Sequence, residues 1–186
     1  TDSDGDGLGD TCTLSHCVSN SAEPQAALTT AQNNGENDVI HLVQGTYGVS
    51  GNGNNEFYYS SSEPYSLIMG GGYTSGCSSR ELNPSNTILD GENIYQSYYP
   101  GVLYLNESGS SANKKLTVEG FTIQNGKANG QYRGAGLGVG ATHAILTLKD
   151  LIIKNNISDY TGGGAYISSS KDTFFTNNIV INNTAG

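Results

Sequence analysis

The sequence predicts an all-β chain wound as a right-handed parallel β-helix, a solenoid with a short N-terminal capping helix. Three observations predict it. Three stretches overlay almost letter for letter: Leu116 to Asn125, Leu146 to Asn155 and Phe174 to Asn183, at offsets of 30 and 28 residues. A period that varies by a residue or two means that one unit is stacked and loops absorb the slack. Within each unit apolar residues alternate, as in Leu116, Val118, Phe121, Ile123 and Leu146, Leu148, Leu151, Ile153. Alternation is the two-residue period of a strand with one buried face. Glycine clusters recur in step, with Gly136 and Gly164 28 residues apart. They allow sharp corners where neighbouring turns of chain crowd together.

Each unit reads as two short strands bent at Glu119-Gly120, Asp150 or Asn177-Asn178, then a third after the glycines (Leu137, Val139; Ala165, Ile167). Two or three such strands cannot close a core alone; stacked at ~4.8 Å they can. Earlier strand candidates are Val39 to Val43, Leu67 to Met69, Thr87 to Leu89 and Val102 to Leu105, each bounded by Gly, Asn, Ser or Pro. Asn125, Asn155 and Asn183 fall two positions after an inward apolar residue. They either form an amide ladder along the axis or supply left-handed turn geometry. One helix is predicted, residues 22–33, with Ala26, Ala27, Leu28 and Ala31 on one face, Asn20 or Ser21 as cap and Gly35 as stop. It suits the lid of a first coil. No comparable lid follows Ile181, so either the sequence is a piece of a longer protein or its open end is expected to stack on something.

The predicted organisation is an acidic linker, residues 1–13, then the β-helix, residues 14–186. A net charge of −9 with only 8 Lys plus Arg disfavours nucleic acid and anionic membranes. No apolar run approaches the ~20 residues of a membrane span. Hydrophobic content is only 35%, yet the periodic strands argue against disorder.

Cys12, Cys17 and Cys77 follow no zinc spacing. Scarce Lys, abundant Ser, Thr, Asn and Gly, and an acidic calcium-type loop favour an oxidising, extracellular setting. Cys17–Cys77 is the favoured disulfide and Cys12–Cys17 the runner-up; spacing cannot decide connectivity. In the linker, Asp2, Asp4, Asp6, the Leu8 carbonyl and Asp10 place hard oxygens at alternate positions, with Gly7 at the turn. That pattern suits calcium, which takes six to eight such ligands. Thr13 stands where a helix–loop–helix calcium hand needs Glu, so the loop is not such a hand.

The run Asp2 to Cys12 resembles the thrombospondin type 3 repeat, ending in Asp-Gly-Asp-Gly-x-Gly-Asp-x-Cys. From Cys17 onward the chain resembles bacterial secreted β-helix modules. The matching residues are Cys17-Val-Ser-Asn, Ala26-Ala-Leu, Asp38-Val-Ile-His-Leu with Gly45-Thr-Tyr47, Gly71-Gly-Tyr73 with Cys77, and Leu89-Asp-Gly91. Gly163-Gly-Ala-Tyr166 and Phe174-x-x-Asn177 resemble polymorphic outer-membrane protein repeats. The resemblance implies a surface-display or adhesive module rather than a particular chemistry.

No active site is expected. Glycoside hydrolysis needs two carboxylates across the bond, and a lyase needs aspartates with a nearby Arg or Lys base. Here Arg80 and Arg133 are the two arginines, His16, His41 and His143 are isolated, and Asp90 before Gly91 reads as a turn residue. Tyrosines cluster between 58 and 104; Tyr58, Tyr59, Tyr98 and Tyr99 read as sitting in Asn/Ser/Gly/Pro-rich loops and are candidates for stacking on glycans or for protein contacts. The expected function is a non-enzymatic structural or adhesive module at a bacterial surface. Its expected partners are its own repeats or further copies, joined head-to-tail through the last coil, with a carbohydrate-binding module as the alternative and a polysaccharide lyase or hydrolase after that.

Overall fold

The computed structural model describes residues 13–96, 101–111, 113–129 and 133–186. The fold is all-β with parallel sheets, and one α-helix lies among the described residues. The chain enters through β1 (Thr13–Val18) and α1 (Glu23–Ala31), then β2 (Asn37–Val43), β3 (Gly45–Gly48) and β4 (Phe57–Ser61). The next unit carries β5 (Leu67–Tyr73), β6 (Thr87–Asp90), β7 (Tyr95–Gln96) and β8 (Leu103–Glu107). The two repeats follow: β9 (Lys115–Glu119), β10 (Thr122–Gln124), β11 (Lys127–Ala128) and β12 (Leu137–Ala141), then β13 (Ile145–Lys149), β14 (Ile152–Lys154), β15 (Ile157–Ser158) and β16 (Ala165–Ser169). The last unit is β17 (Thr173–Thr176), β18 (Ile179–Ile181) and β19 (Thr184–Ala185).

These strands form four sheets. Sheet 1 runs β1-β2-β5-β9-β13-β17, sheet 2 β3-β6-β10-β14-β18, sheet 3 β4-β8-β12-β16 and sheet 4 β7-β11-β15-β19. Every strand pairs in parallel with its counterpart in the neighbouring unit. The register aligns like with like: Leu67, Leu116 and Leu146 lie opposite one another, as do Met69, Val118 and Leu148. Leu89, Ile123 and Ile153 do the same on sheet 2, and Leu105 and Val139 on sheet 3. All are buried and belong to one hydrophobic cluster. Aliphatic side chains from successive units therefore share an interior, which is what makes each short strand worth forming.

Three local expectations need correction. The units after the first each carry an additional two-residue strand on sheet 4, too short to show alternation in sequence. The last repeat sits one residue away from the sequence overlay, which sets Phe174 opposite Leu146 and Thr176 opposite Leu148. Instead Phe174 pairs with Thr147 and Phe175 with Leu148. Two adjacent phenylalanines leave alternation unable to choose between these registers. The asparagines at equivalent corners are consequently Asn125, Asn155 and Asn182, all at φ 56°, in left-handed turn geometry. The amide pairing falls one residue later. Asn156 is fully buried, donates to Asn183 Oδ1 at 3.0 Å and accepts from the Gly126 N–H at 2.8 Å.

The helix spans Glu23–Ala31, shorter than 22–33, with Pro24 in its first turn. Its N-cap residue is Ala22 and no side chain caps it; Asn20 Oδ1 instead accepts from the Ala22 N–H at 3.1 Å. Ala27, Leu28 and Ala31 are buried in the same cluster as the strands. Gln25 fixes the helix on β4, accepting from the Tyr58 N–H at 2.7 Å and donating to its carbonyl at 3.0 Å. No helix among the described residues is long and apolar enough to cross a membrane.

Candidate functional site

A disulfide joins Cys17 on β1 to Cys77 in the loop after β5, with Cα atoms 5.8 Å apart, consistent with the favoured pairing. Nearby, His41 stacks on Tyr73 at 4.1 Å between centroids. Burial, and then the Arg80 charge, hold the His41 imidazole below its ordinary range. Arg80 lies over Tyr73 at 5.1 Å, donates through Nε to the Gly71 carbonyl at 2.8 Å and pairs with Glu119. These partners hold a loop against the sheet face. His16 Nε2 lies 3.0 Å from Asp38 Oδ1, and burial pushes the Asp38 carboxyl up despite that contact. Asp90 accepts from Gln124 at 2.7 Å, from Asn125 at 3.0 Å and from the Glu92 N–H at 2.8 Å. Among the described residues no group of three or more His, Cys, Asp or Glu could hold a metal ion.

A buried charge pair went unpredicted. Lys114 Nζ lies 2.9 Å from Glu107 Oε1 with both side chains essentially inaccessible to solvent, and Lys114 also donates to the Glu63 carbonyl. Burial pushes the Lys114 ammonium below its ordinary range, against the opposing pull of Glu107. Desolvation of both charges offsets much of their attraction, so the pair adds little net stability, while removing either partner would strand a buried charge.

The binding candidates fall in different places. Asp2, Asp4, Asp6, Leu8 and Asp10, and also Tyr98 and Tyr99, lie outside the described residues. Tyr58 and Tyr59 are on β4, not in a loop, and the difference matters. Tyr59 points inward and is 2% exposed, with burial pushing its hydroxyl up to about 12, so its ring fills the interior and cannot stack on a ligand. Strand alternation sends its neighbour outward: Tyr58 stacks on Tyr104, centroids 5.8 Å apart and planes 5° from parallel.

That stack begins an outward column on sheet 3, Tyr58–Tyr104–Gly138–Tyr166 in register. Beside it runs Ser60–Asn106–Gly140–Ser168. Both outward positions of β12 are glycine, while β8 carries a ring and an amide there and β16 a ring and a hydroxyl. The result is a recess: an open groove of about 280 Å³ lined by Tyr104, Asn106, Gly140, Thr142, Tyr166 and Ser168. Ser60 Oγ accepts from Asn106 Nδ2 at 3.2 Å, which turns Oδ1 over Gly140; a Cβ there would lie 2.7 Å from it. Arg133 braces the far wall, over Tyr166 at 5.1 Å and Tyr160 at 5.6 Å, and donates to the Tyr166 hydroxyl at 2.9 Å.

Aligning Val-Leu-Tyr104 with Gly-Leu-Gly138 and Gly-Ala-Tyr166 reveals this column from sequence. The irregular offsets of the early units hide it. Comparison with known proteins finds no family model, no curated protein and no solved structure that matches the chain.

Proposed function

We propose that the four parallel sheets are the walls of a right-handed parallel β-helix serving as a non-enzymatic structural and adhesive module of a bacterial surface, extended head-to-tail through its last unit. Unit-to-unit parallel pairing on all four sheets and the shared interior support the solenoid. The disulfide and the low charge density fit an extracellular setting. Calcium at Asp2, Asp4, Asp6, the Leu8 carbonyl and Asp10 would stiffen the linker; the donor set is all hard oxygen, which is the chemistry that ion takes.

One observation carries the assembly reading. Leu148 and Ile153 are 0% exposed, whereas their register partners Phe175 and Val180, in the last unit, are 49% and 50% exposed. A further layer, whether continued chain or a second copy, would cover them as they cover their predecessors, and the proposal takes the second copy. β17 is also an edge of sheet 1, whose opposite edge is β1, carrying Leu14 at 37% exposure. Both edges run in the same direction, so β17 of one copy can pair with β1 of the next in parallel. A head-to-tail contact repeats without closing and builds a filament.

Size-exclusion chromatography with light scattering and negative-stain microscopy test this across a concentration series, with and without calcium. Concentration-dependent oligomers or fibres that Phe175→Asp abolishes are expected. Strict monomers at every concentration overturn the assembly reading.

A further inference from the structure

We propose that the groove on sheet 3 is a subsite for a neutral saccharide, with one sugar ring held against Tyr104 and Tyr166 above the Gly140 floor. The proposal rests on the adhesive reading and names its ligand class. Tyr104 and Tyr166 stand two strands apart, roughly 9.6 Å at the ordinary strand spacing, with Gly138, itself buried, at the outward position between them and the more accessible Gly140 beside it as the floor. Tyr58 backs Tyr104 and Arg133 backs Tyr166, so both rings are positioned before any ligand arrives. Preorganised aromatic walls cost little conformational entropy on binding.

The lining chemistry selects the occupant. Asn106, Thr142 and Ser168 offer amide and hydroxyl groups, the pattern that meets sugar hydroxyls, while the rings meet the C–H face of a pyranose. Among the described residues no Asp, Glu, Lys or Arg lines the groove. The chain's net charge of −9 adds a field that disfavours acidic polysaccharides. An apolar peptide would leave the amide and hydroxyls unpaired, and an acidic one would meet the same field. Gly140 is the gate: any side chain there occupies the recess and displaces Asn106 Oδ1.

The test is a titration of the ¹⁵N-labelled chain with cello-, xylo-, manno- and chito-hexaoses, with an oligogalacturonate as acidic control, each to about 10 mM so that even weak sites fill. Saturable shifts at Gly140, Thr142 and Ser168 with at least one neutral oligosaccharide are expected, weakened about tenfold or more by Gly140→Val. Thermal melting of Gly140→Val should stay near wild type because the atom that its Cβ crowds is the movable end of the Asn106 side chain; if it does not, Tyr104→Ala takes its place with the same expected loss. The proposal fails if no neutral sugar moves those amides, if binding survives these substitutions, or if the acidic control binds more tightly. Association measured on the same samples separates the two ideas, because Gly140 lies away from β17–β19. Loss of sugar binding with association intact sinks only the subsite.

Discussion

The two ends of sheet 1 use the same kind of strand but are finished differently. At the N-terminal end, β1 is tied across β2 to the loop after β5 by Cys17–Cys77, and α1 buries Leu28 in the interior beside it. Tyr47 adds a polar seam, its hydroxyl 2.9 Å from the Val18 carbonyl and 2.7 Å from the Val43 carbonyl, with burial pushing its ionisation up to about 12. At the other end, β17 and β18 present Phe174, Phe175, Ile179, Val180 and Ile181 to solvent. A strand in a parallel stack gains its stability from both neighbours. Each strand's stability should therefore follow how many of its flanks are covered, which predicts a gradient of stability along the molecule.

The largest expected effect is at the closed end. Cys17→Ser with Cys77→Ser releases a loop closed over a separation of 60 residues, which chain-entropy arguments value at ~4 kcal/mol. Chemical denaturation of the double variant should show that loss, with proteolysis starting in β1 and α1. A loss below ~1 kcal/mol would mean that packing of α1 alone secures this end.

Next come the middle units, where strands have neighbours on both sides. Leu148→Ala should cost about 2–5 kcal/mol, as for other buried leucines that leave a cavity. Equal costs at Leu148 and at its partner Phe175 would break the comparison outright. A smaller loss, about 1–3 kcal/mol, is expected for Asn156→Ala, which strands the Gly126 N–H without its acceptor. Asn183→Ala should cost less, because Asn183 is half-buried and water can replace its amide. Urea titration of the pair measures the difference directly.

How much of this was legible depends on periodicity. Where a unit repeats with two alternating strands, as at Leu116 to Ile123 and Leu146 to Ile153, sequence alone placed the buried residues correctly. It misplaced Phe174 and Phe175 because consecutive apolar residues carry no phase, and the turn before β17 is shorter than its predecessor. It saw no strand in Lys127–Ala128 or Ile157–Ser158, since two residues cannot show a period. Tyr59 looked like a loop aromatic for a similar reason: Phe57, Tyr58 and Tyr59 are all aromatic, and only the register with Leu103, Tyr104 and Leu105 assigns them faces. The groove over Gly140 was hidden more deeply. It is made by side chains that are missing from β12, visible only once three strands are aligned.

The smallest expected effect on folding is at the open end, and there the comparison gains its functional edge. Phe175→Ala removes a ring already half in water, so the isolated chain should lose less than ~1 kcal/mol by denaturation at low concentration. The same substitution takes apolar area from the surface proposed to receive β1 of another copy. Measured at high concentration, it should therefore lower self-association clearly while leaving the melting temperature of the dilute chain nearly unchanged. A residue that stabilised only its own unit would behave the opposite way, with reduced melting and unaltered association. The two readouts together decide whether the exposed face of β17 and β18 receives another copy.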